Sequence, residues 1–177
     1  MGLLRTIRRV PWPQLTPLAA AVLHVGSPER ILQVECGEAE GALFMAREFP
    51  RARVRGVDRS EHSIRRVSER VGLDPEGRLA FKAASPASLP FPTDHFDLVA
   101  TVDAAPVAPE TARVLRAGGY LVLVSSGSHS PAPGLRGRLL RWRLARAGFE
   151  SLRAETAGDG SFSVLRLART DAAPGAV

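Results

Sequence analysis

The stretch ILQVECGEAEGALFMA, residues 31 to 46, joins a short apolar run to an amphipathic one and sets Gly37 and Gly41 among glutamates. Glycines at a strand-to-helix junction let backbone approach a ligand closely, because no Cβ intervenes and φ of either sign is accessible. Glu35, Glu38 and Glu40 surround the expected helix N-terminus with carboxylates. A pyrophosphate would be repelled there, which counts against NAD and FAD. Asp58 closes the run ARVRGV just ahead of Ser60. A carboxylate at a strand end can hold a pair of hydroxyls; its plainer role is a turn aspartate before a helix capped by Ser60. Asp103 in ATVDAAP and His129 in SSGSHSP follow two further apolar runs, where ligands bind in open α/β sheets. Each is a candidate general base for an acceptor that must lose a proton, set against an ordinary role as a polar loop residue. His95, in a turn, and His62, on an exposed helix face, have weaker claims.

The elements that would position these groups follow from hydrophobic periodicity. Leu3, Leu4, Ile7 and Val10 form one helical stripe, PWP stops it, and Thr16-Pro17 reads as an N-cap and first turn for a short apolar helix ending at Gly26. Residues 1–29 therefore read as a helical arm. From Arg30, short apolar runs alternate with amphipathic helices, which predicts a doubly wound α/β domain over 30–169. The strands are RILQVE, ARVRGV, RLAF, FDLVATV and YLVLVSS. Ser60 caps a helix burying Ile64, Val67 and Val71, and a further helix spans PETARVLRAGG. A basic helix, LRGRLLRWRLARAGF, then leads to ESLRAET, a Gly-Asp-Gly connection and SFSVLRLAR, an antiparallel hairpin that ends the sheet with a reversed strand. Residues 170–177 have little to bury and read as a frayed tail.

Cys36 is the only cysteine, so there is no disulfide framework and no cysteine cluster for zinc, and no metal is expected. That usage fits a reducing, cytoplasmic setting. No apolar stretch reaches the roughly 18 residues needed to cross a bilayer, and no membrane association is expected. The net charge of +6 is almost wholly arginine, since Lys82 is the only lysine. Arg136, Arg138, Arg141, Arg143 and Arg146 surround Trp142 on the basic helix, whose Leu135, Leu139, Leu140 and Leu144 are expected to face the sheet. Such a surface could bind nucleic-acid phosphates, although a solvated outer helix face is the commoner outcome.

Four segments in this order and spacing resemble the class I S-adenosylmethionine-dependent methyltransferases: REFPRARVRGVDRS (47–60), LPFPTDHFDLV (89–99), ARVLRAGGYLVLV (112–124) and GFESLRA (148–154). The resemblance runs from about Arg30 to Arg169 and implies a Rossmann-like, mostly parallel seven-stranded sheet with a reversed last strand. In that family the first strand ends in a segment like Leu-Asp-Val-Gly-Cys-Gly-Thr-Gly. Here it corresponds to Leu32-Gln33-Val34-Glu35-Cys36-Gly37-Glu38-Ala39. An alignment displaced by two residues, Glu35-x-Gly37-x-Ala39-x-Gly41, recovers an acid and two glycines but shortens the spacing to REFPRARVRGVD, so the undisplaced one is preferred.

The resemblance implies a cofactor site lined by Gln33, Glu35, Gly37, Gly41, Asp58 and Ser85. Asp58 would take the ribose hydroxyls, and Ser85 stands where many members carry an aspartate for the adenine amino group. A sulfonium cofactor would tolerate the surrounding glutamates. Two expectations stay open. One is a methyltransferase acting on a small-molecule acceptor, with Asp103 or His129 as base. The other is a protein of the same fold without methyl transfer, a binding or regulatory partner or a repurposed enzyme such as a cyclase, since losing charged acceptors at Gln33 and Ser85 costs about 1.5 to 3 kcal/mol each. An Arg-rich nucleic-acid-binding module is a third reading. A homo-oligomer or a partner protein is left open.

Overall fold

The computed structural model describes residues 15–72, 74–127 and 135–168. The elements run α1 (Thr16–Val22), β1 (Arg30–Val34), α2 (Glu40–Glu48), β2 (Arg53–Asp58), α3 (Glu61–Val71), β3 (Leu79–Ala83), β4 (Phe96–Val102), α4 (Ala108–Val114), β5 (Leu115–Ser125), α5 (Leu135–Arg146), β6 (Phe149–Ala157) and β7 (Gly160–Leu167). The strands form one sheet of seven in the order β3-β2-β1-β4-β5-β7-β6. β1 pairs in parallel with β2 and β4, whereas β7 runs antiparallel to both β5 and β6. This is the expected doubly wound sheet with a reversed last strand. The stripe at Leu3 to Val10, His129 and the tail 170–177 lie outside the described residues.

The central strands are apolar on both faces because each face is covered. Ile31, Leu98 and Val122 pack with Leu18 of α1, Met45 of α2 and Val67 of α3. On the other face, Leu32, Val99 and Leu121 pack with Val114 of α4 and Leu144 of α5. Such two-sided burial gives continuous apolar strands rather than alternating ones. At the amino edge, Asp97 Oδ2 accepts the N–H groups of Glu29 (2.7 Å) and Arg30 (2.9 Å), while Arg116 Nε lies 3.1 Å from Oδ1. That carboxylate fixes where β1 enters the sheet. Glu110 and Arg113 of α4 clamp the Leu89–Phe91 turn. Glu110 Oε1 accepts the Leu89 N–H at 2.6 Å, and Arg113 donates to the carbonyls of Phe91 and Leu89. The Arg113 hydrogen bond holds the Glu110 carboxyl below its ordinary value.

Ser60 caps α3 as expected, accepting the Ser63 N–H at 3.2 Å; Ile64 and Val67 are buried, Val71 is only half-buried, and Gly72 (φ +72°) lies just past the end. Three local expectations are corrected. Thr16 is the first residue of α1 rather than its cap; Leu15 holds the cap position without a side-chain bond, and Pro17 starts the turn, where a missing N–H costs nothing. The helix expected through Gly119 stops at Val114, because Leu115 already pairs with Phe96 and Gly118 (φ +76°) turns the chain. On α5, Leu144 is buried and Leu140 half-buried at i, i+4, which leaves Leu139 rotated away from the sheet and 43% exposed. The Leu135 side chain is outside the described residues.

β6 and β7 form the expected hairpin, with Ala157 opposite Gly160 and Gly158 at φ +60°. α1 packs across β5, β6 and β7. A Cβ on Gly160 would stand 2.2 Å from the Ser125 carbonyl oxygen and 2.7 Å from Pro17 Cγ, so only glycine lets α1 and the end of β5 close on the hairpin. β6 is an edge strand, exposed over most of its length, with a register shift between Ser151 and Arg153.

Candidate functional site

At the carboxyl end of β1 the chain turns into α2 through left-handed residues at Glu35 (φ +54°), Gly37 (φ +52°) and Ala39 (φ +62°). These are the three glycine positions of the undisplaced alignment, whereas Gly41 lies inside α2. A left-handed non-glycine residue costs about 1 to 2 kcal/mol, so the backbone keeps the glycine-loop path although two of the three glycines are absent. Ala39 is held by its N–H to the Cys36 carbonyl (2.7 Å) and by the Leu43 N–H to its own carbonyl (2.9 Å). Glu35 is held through its side chain, whose Oε1 lies 2.5 Å from Arg59 Nη2 and accepts from Arg59 Nε at 2.8 Å.

Asp58, the last residue of β2, sits directly beside this loop. Its Oδ2 accepts the Gly37 N–H and its Oδ1 the Ser60 N–H, both at 2.9 Å. A carboxylate has about four lone-pair sites, so one on each oxygen remains. Apart from its chain neighbours, no atom of the described residues lies within 4 Å of where a Cβ on Gly37 would stand. Two hydroxyls could therefore be received beside backbone that a ligand can approach closely. The Ala84 N–H donates to the Asp58 carbonyl at 2.9 Å, which places Ser85 next along the same edge. Ser85 is exposed, and its hydroxyl oxygen accepts the Ala87 N–H at 3.2 Å, leaving a second lone-pair site.

Gln33 and Gly41 meet on the α2 side of the sheet. A Cβ on Gly41 would stand 2.7 Å from Gln33 Nε2, so this glycine makes room for the buried amide. Gln33 is 2% exposed, and its Oε1 has no partner among the described residues. Cys36 is buried in the same turn. Burial, with the Asp58 carboxylate adding to it, pushes its thiol up to about 12, so it stays protonated at neutral pH and is no thiolate nucleophile. No cluster of residues able to hold a metal ion occurs among the described residues.

The carboxylates around the loop carry less net charge than the sequence suggests. Besides the Glu35–Arg59 pair, Glu38 lies 2.9 Å from Arg66 and 3.6 Å from Arg70, both from α3. The signal for these partners was present in RGVDRS and in the i, i+4 spacing of Arg66 and Arg70, but only the fold brings them to the loop. Asp103 lies apart, at the end of β4. Its φ is +54°, a conformation aspartate tolerates, and its carboxylate accepts the Ser126 N–H at 2.7 Å and the Ser126 hydroxyl. Below it, Thr101 Oγ1 and Ser125 Oγ are buried without partners among the described residues. Sequence reasoning missed all three of these hydroxyl residues. His62 is exposed on α3, and His95 lies just before β4, at the amino edge of the sheet, away from the carboxyl-edge loops.

A sheet of this order, closed by a reversed strand and carrying a left-handed loop and a strand-end aspartate at its first two parallel strands, defines the class I S-adenosylmethionine-dependent methyltransferase architecture. The chain belongs to that family: residues 31–119, about half of it, match the family described as "Methyltransferase domain". It is 35% identical over 101 residues to a fatty-acid O-methyltransferase of Mycolicibacterium smegmatis, covering 53% of this chain and 36% of that protein. It is 32% identical over 118 residues to the 27-O-demethylrifamycin SV methyltransferase of Amycolatopsis mediterranei, covering 62% and 43%. The chain thus spans less than half the length of these curated relatives. Among solved structures, a SAM-dependent methyltransferase from Aquifex aeolicus aligns with a TM-score of 0.67 at 16% identity, over 86% of this chain and 90% of the other. The cyclase SpnF aligns with a TM-score of 0.67 at 21% identity, over 90% and 84%. These structural likenesses speak to the fold alone.

Proposed function

We propose that the protein binds S-adenosylmethionine at the carboxyl ends of β1 and β2 and transfers its methyl group to a small, largely apolar acceptor. The observation that carries this reading is the fixed Asp58 carboxylate, tied to Gly37 and Ser60 with a lone-pair site left on each oxygen, beside the open space over Gly37. In this reading Asp58 holds both ribose hydroxyls, the Gly37 backbone gives the nucleoside its close approach, and Ser85 receives the adenine amino group as a neutral acceptor. The Glu35 backbone completes the lining, while Gln33, its amide oxygen buried where the family has a carboxylate, and Gly41, packed on that amide, support the loop from the α2 side. When bound, the cofactor supplies a methyl group activated by a positively charged sulfur. The protein's part is then mainly to align the acceptor with that methyl group, which lowers the barrier by replacing a bimolecular encounter with an oriented one. Where the acceptor must lose a proton, Asp103 at the end of β4 is the base, oriented by Ser126. His129 is a second candidate for that role.

Acceptor chemistry is drawn from the relatives, whose names refer to a fatty acid and a rifamycin. Residues 1–29 are proposed as an arm beside the domain of residues 30–169. Calorimetric titration with S-adenosylmethionine and S-adenosylhomocysteine tests the reading. Saturable heat at micromolar ligand is expected. Absence of heat at high micromolar ligand removes the methyltransferase reading and leaves a protein of this fold without methyl transfer.

A further inference from the structure

We propose that the groove between α4 and α5 is a second binding site, for a single-chain anionic amphiphile: a carboxylate or phosphate head on an apolar tail. It lies on the α4/α5 face of the sheet, away from the loop at Asp58, and does not depend on methyl transfer. The groove has a volume of about 680 Å³ and a floor that includes Pro106, Val107 and Ala112. That volume falls within the roughly 300 to 1,000 Å³ usual for small-molecule sites. Its rim is made by Trp142, Arg143 and Arg146.

α5 also carries exposed apolar surface. Trp142, which lines the groove, is 55% exposed, and Leu139, one turn earlier and outside the lining, is 43% exposed. Arg136 and Arg143 stand one turn before and one turn after Leu139, and α5 contains no acidic residue. Arg136, Arg143 and Arg146 have no carboxylate partner among the described residues. Arg146 instead lies over the Trp142 ring, 5.0 Å from its centroid. An apolar floor wants a hydrocarbon, and the unpaired guanidiniums above it want an anion that can accept bidentate hydrogen bonds. A nucleic acid would satisfy the arginines but leave the proline and alanine floor facing its sugars and phosphates. Trp142 is the only aromatic side chain lining the groove, and Arg146 already covers one of its faces.

The test uses the full chain in a Trp12→Phe background, so that emission reports Trp142 alone. Titration with dodecanoate below its micelle concentration is expected to shift that emission to shorter wavelength and to saturate. Dodecanol, which lacks the charge, and acetate, which lacks the tail, should bind at least about tenfold more weakly. The double variant Arg143→Gln/Arg146→Gln should lose about tenfold in dodecanoate affinity while keeping its melting temperature and its S-adenosylmethionine titration. The proposal is overturned if dodecanol binds as well as dodecanoate, or if the double variant binds unchanged. It is equally overturned if Trp142 responds only to single-stranded RNA or to phosphatidylglycerol vesicles, or does not respond at all.

Discussion

At the carboxyl ends of β1 and β2 the loop's carboxylates and N–H groups are tied together and only the Gln33 amide oxygen is buried without a partner among the described residues, while at the ends of β4 and β5 two hydroxyls, Thr101 Oγ1 and Ser125 Oγ, are so left. The first region keeps a demanding backbone path with only one of three glycines, because Asp58 gathers the Gly37 and Ser60 N–H groups and Arg59 holds Glu35. Among the described residues the second region is tied by the Asp103 carboxylate to Ser126 and by the Asp103 N–H to the Val124 carbonyl, and apolar packing shapes the rest. A binding function places its demands on the first region: geometry that must not move. An adaptable acceptor site can tolerate the second.

The contrast can be broken most severely at Asp58. Asp58→Ala strands two backbone donors, so a stability loss of about 1 to 3 kcal/mol is expected in denaturant melts. S-adenosylmethionine affinity should fall by at least about tenfold in calorimetry. Unchanged affinity would refute the ribose assignment. Asp103→Ala removes one tie and places a less tolerant residue at φ +54°, for a loss of about 1 kcal/mol in the same melts. Its cofactor affinity should not change; a drop there would mean that the two regions are one site. Glu35→Gly relieves a left-handed residue at about 1 kcal/mol and gives up an exposed-side ion pair worth a few tenths. A net gain of about half a kcal/mol is expected, with equal or tighter cofactor binding, and weaker binding would show that Glu35 itself contacts the ligand. Thr101→Val, the smallest change, replaces an unpartnered hydroxyl with a methyl of the same shape and should raise stability by a few tenths of a kcal/mol. Destabilisation would reveal a partner for that hydroxyl.

Much of the fold was legible because it rests on local patterns. FDLVATV is β4, Ser60 caps α3, and the Gly-Asp connection makes the β6–β7 hairpin, since apolar periodicity, an oxygen cap and a tight turn all act within a few residues. Asp58 was legible as a strand-end acid. What could not be read were long-range matters. The left-handed path at Glu35 and Ala39 contradicts local preference and is imposed by bonds to residues elsewhere in the chain, such as Arg59. The pairing of Asp103 with Ser126 depends on β4 and β5 being neighbours. Leu139 was expected inward because four leucines lie close together on α5, but a helix of that length presents only one narrow stripe to the sheet.

The register shift in β6 has a bearing on how molecules of this protein meet. A long border strand with a regular row of free amides is an invitation to stack another chain alongside. Leu152 interrupts that row, and Arg153 with Glu155 lines it with charge, so the rim of the sheet offers a broken, salted surface instead of a template. Crowded solutions should thus be tolerated at this border without fibre growth.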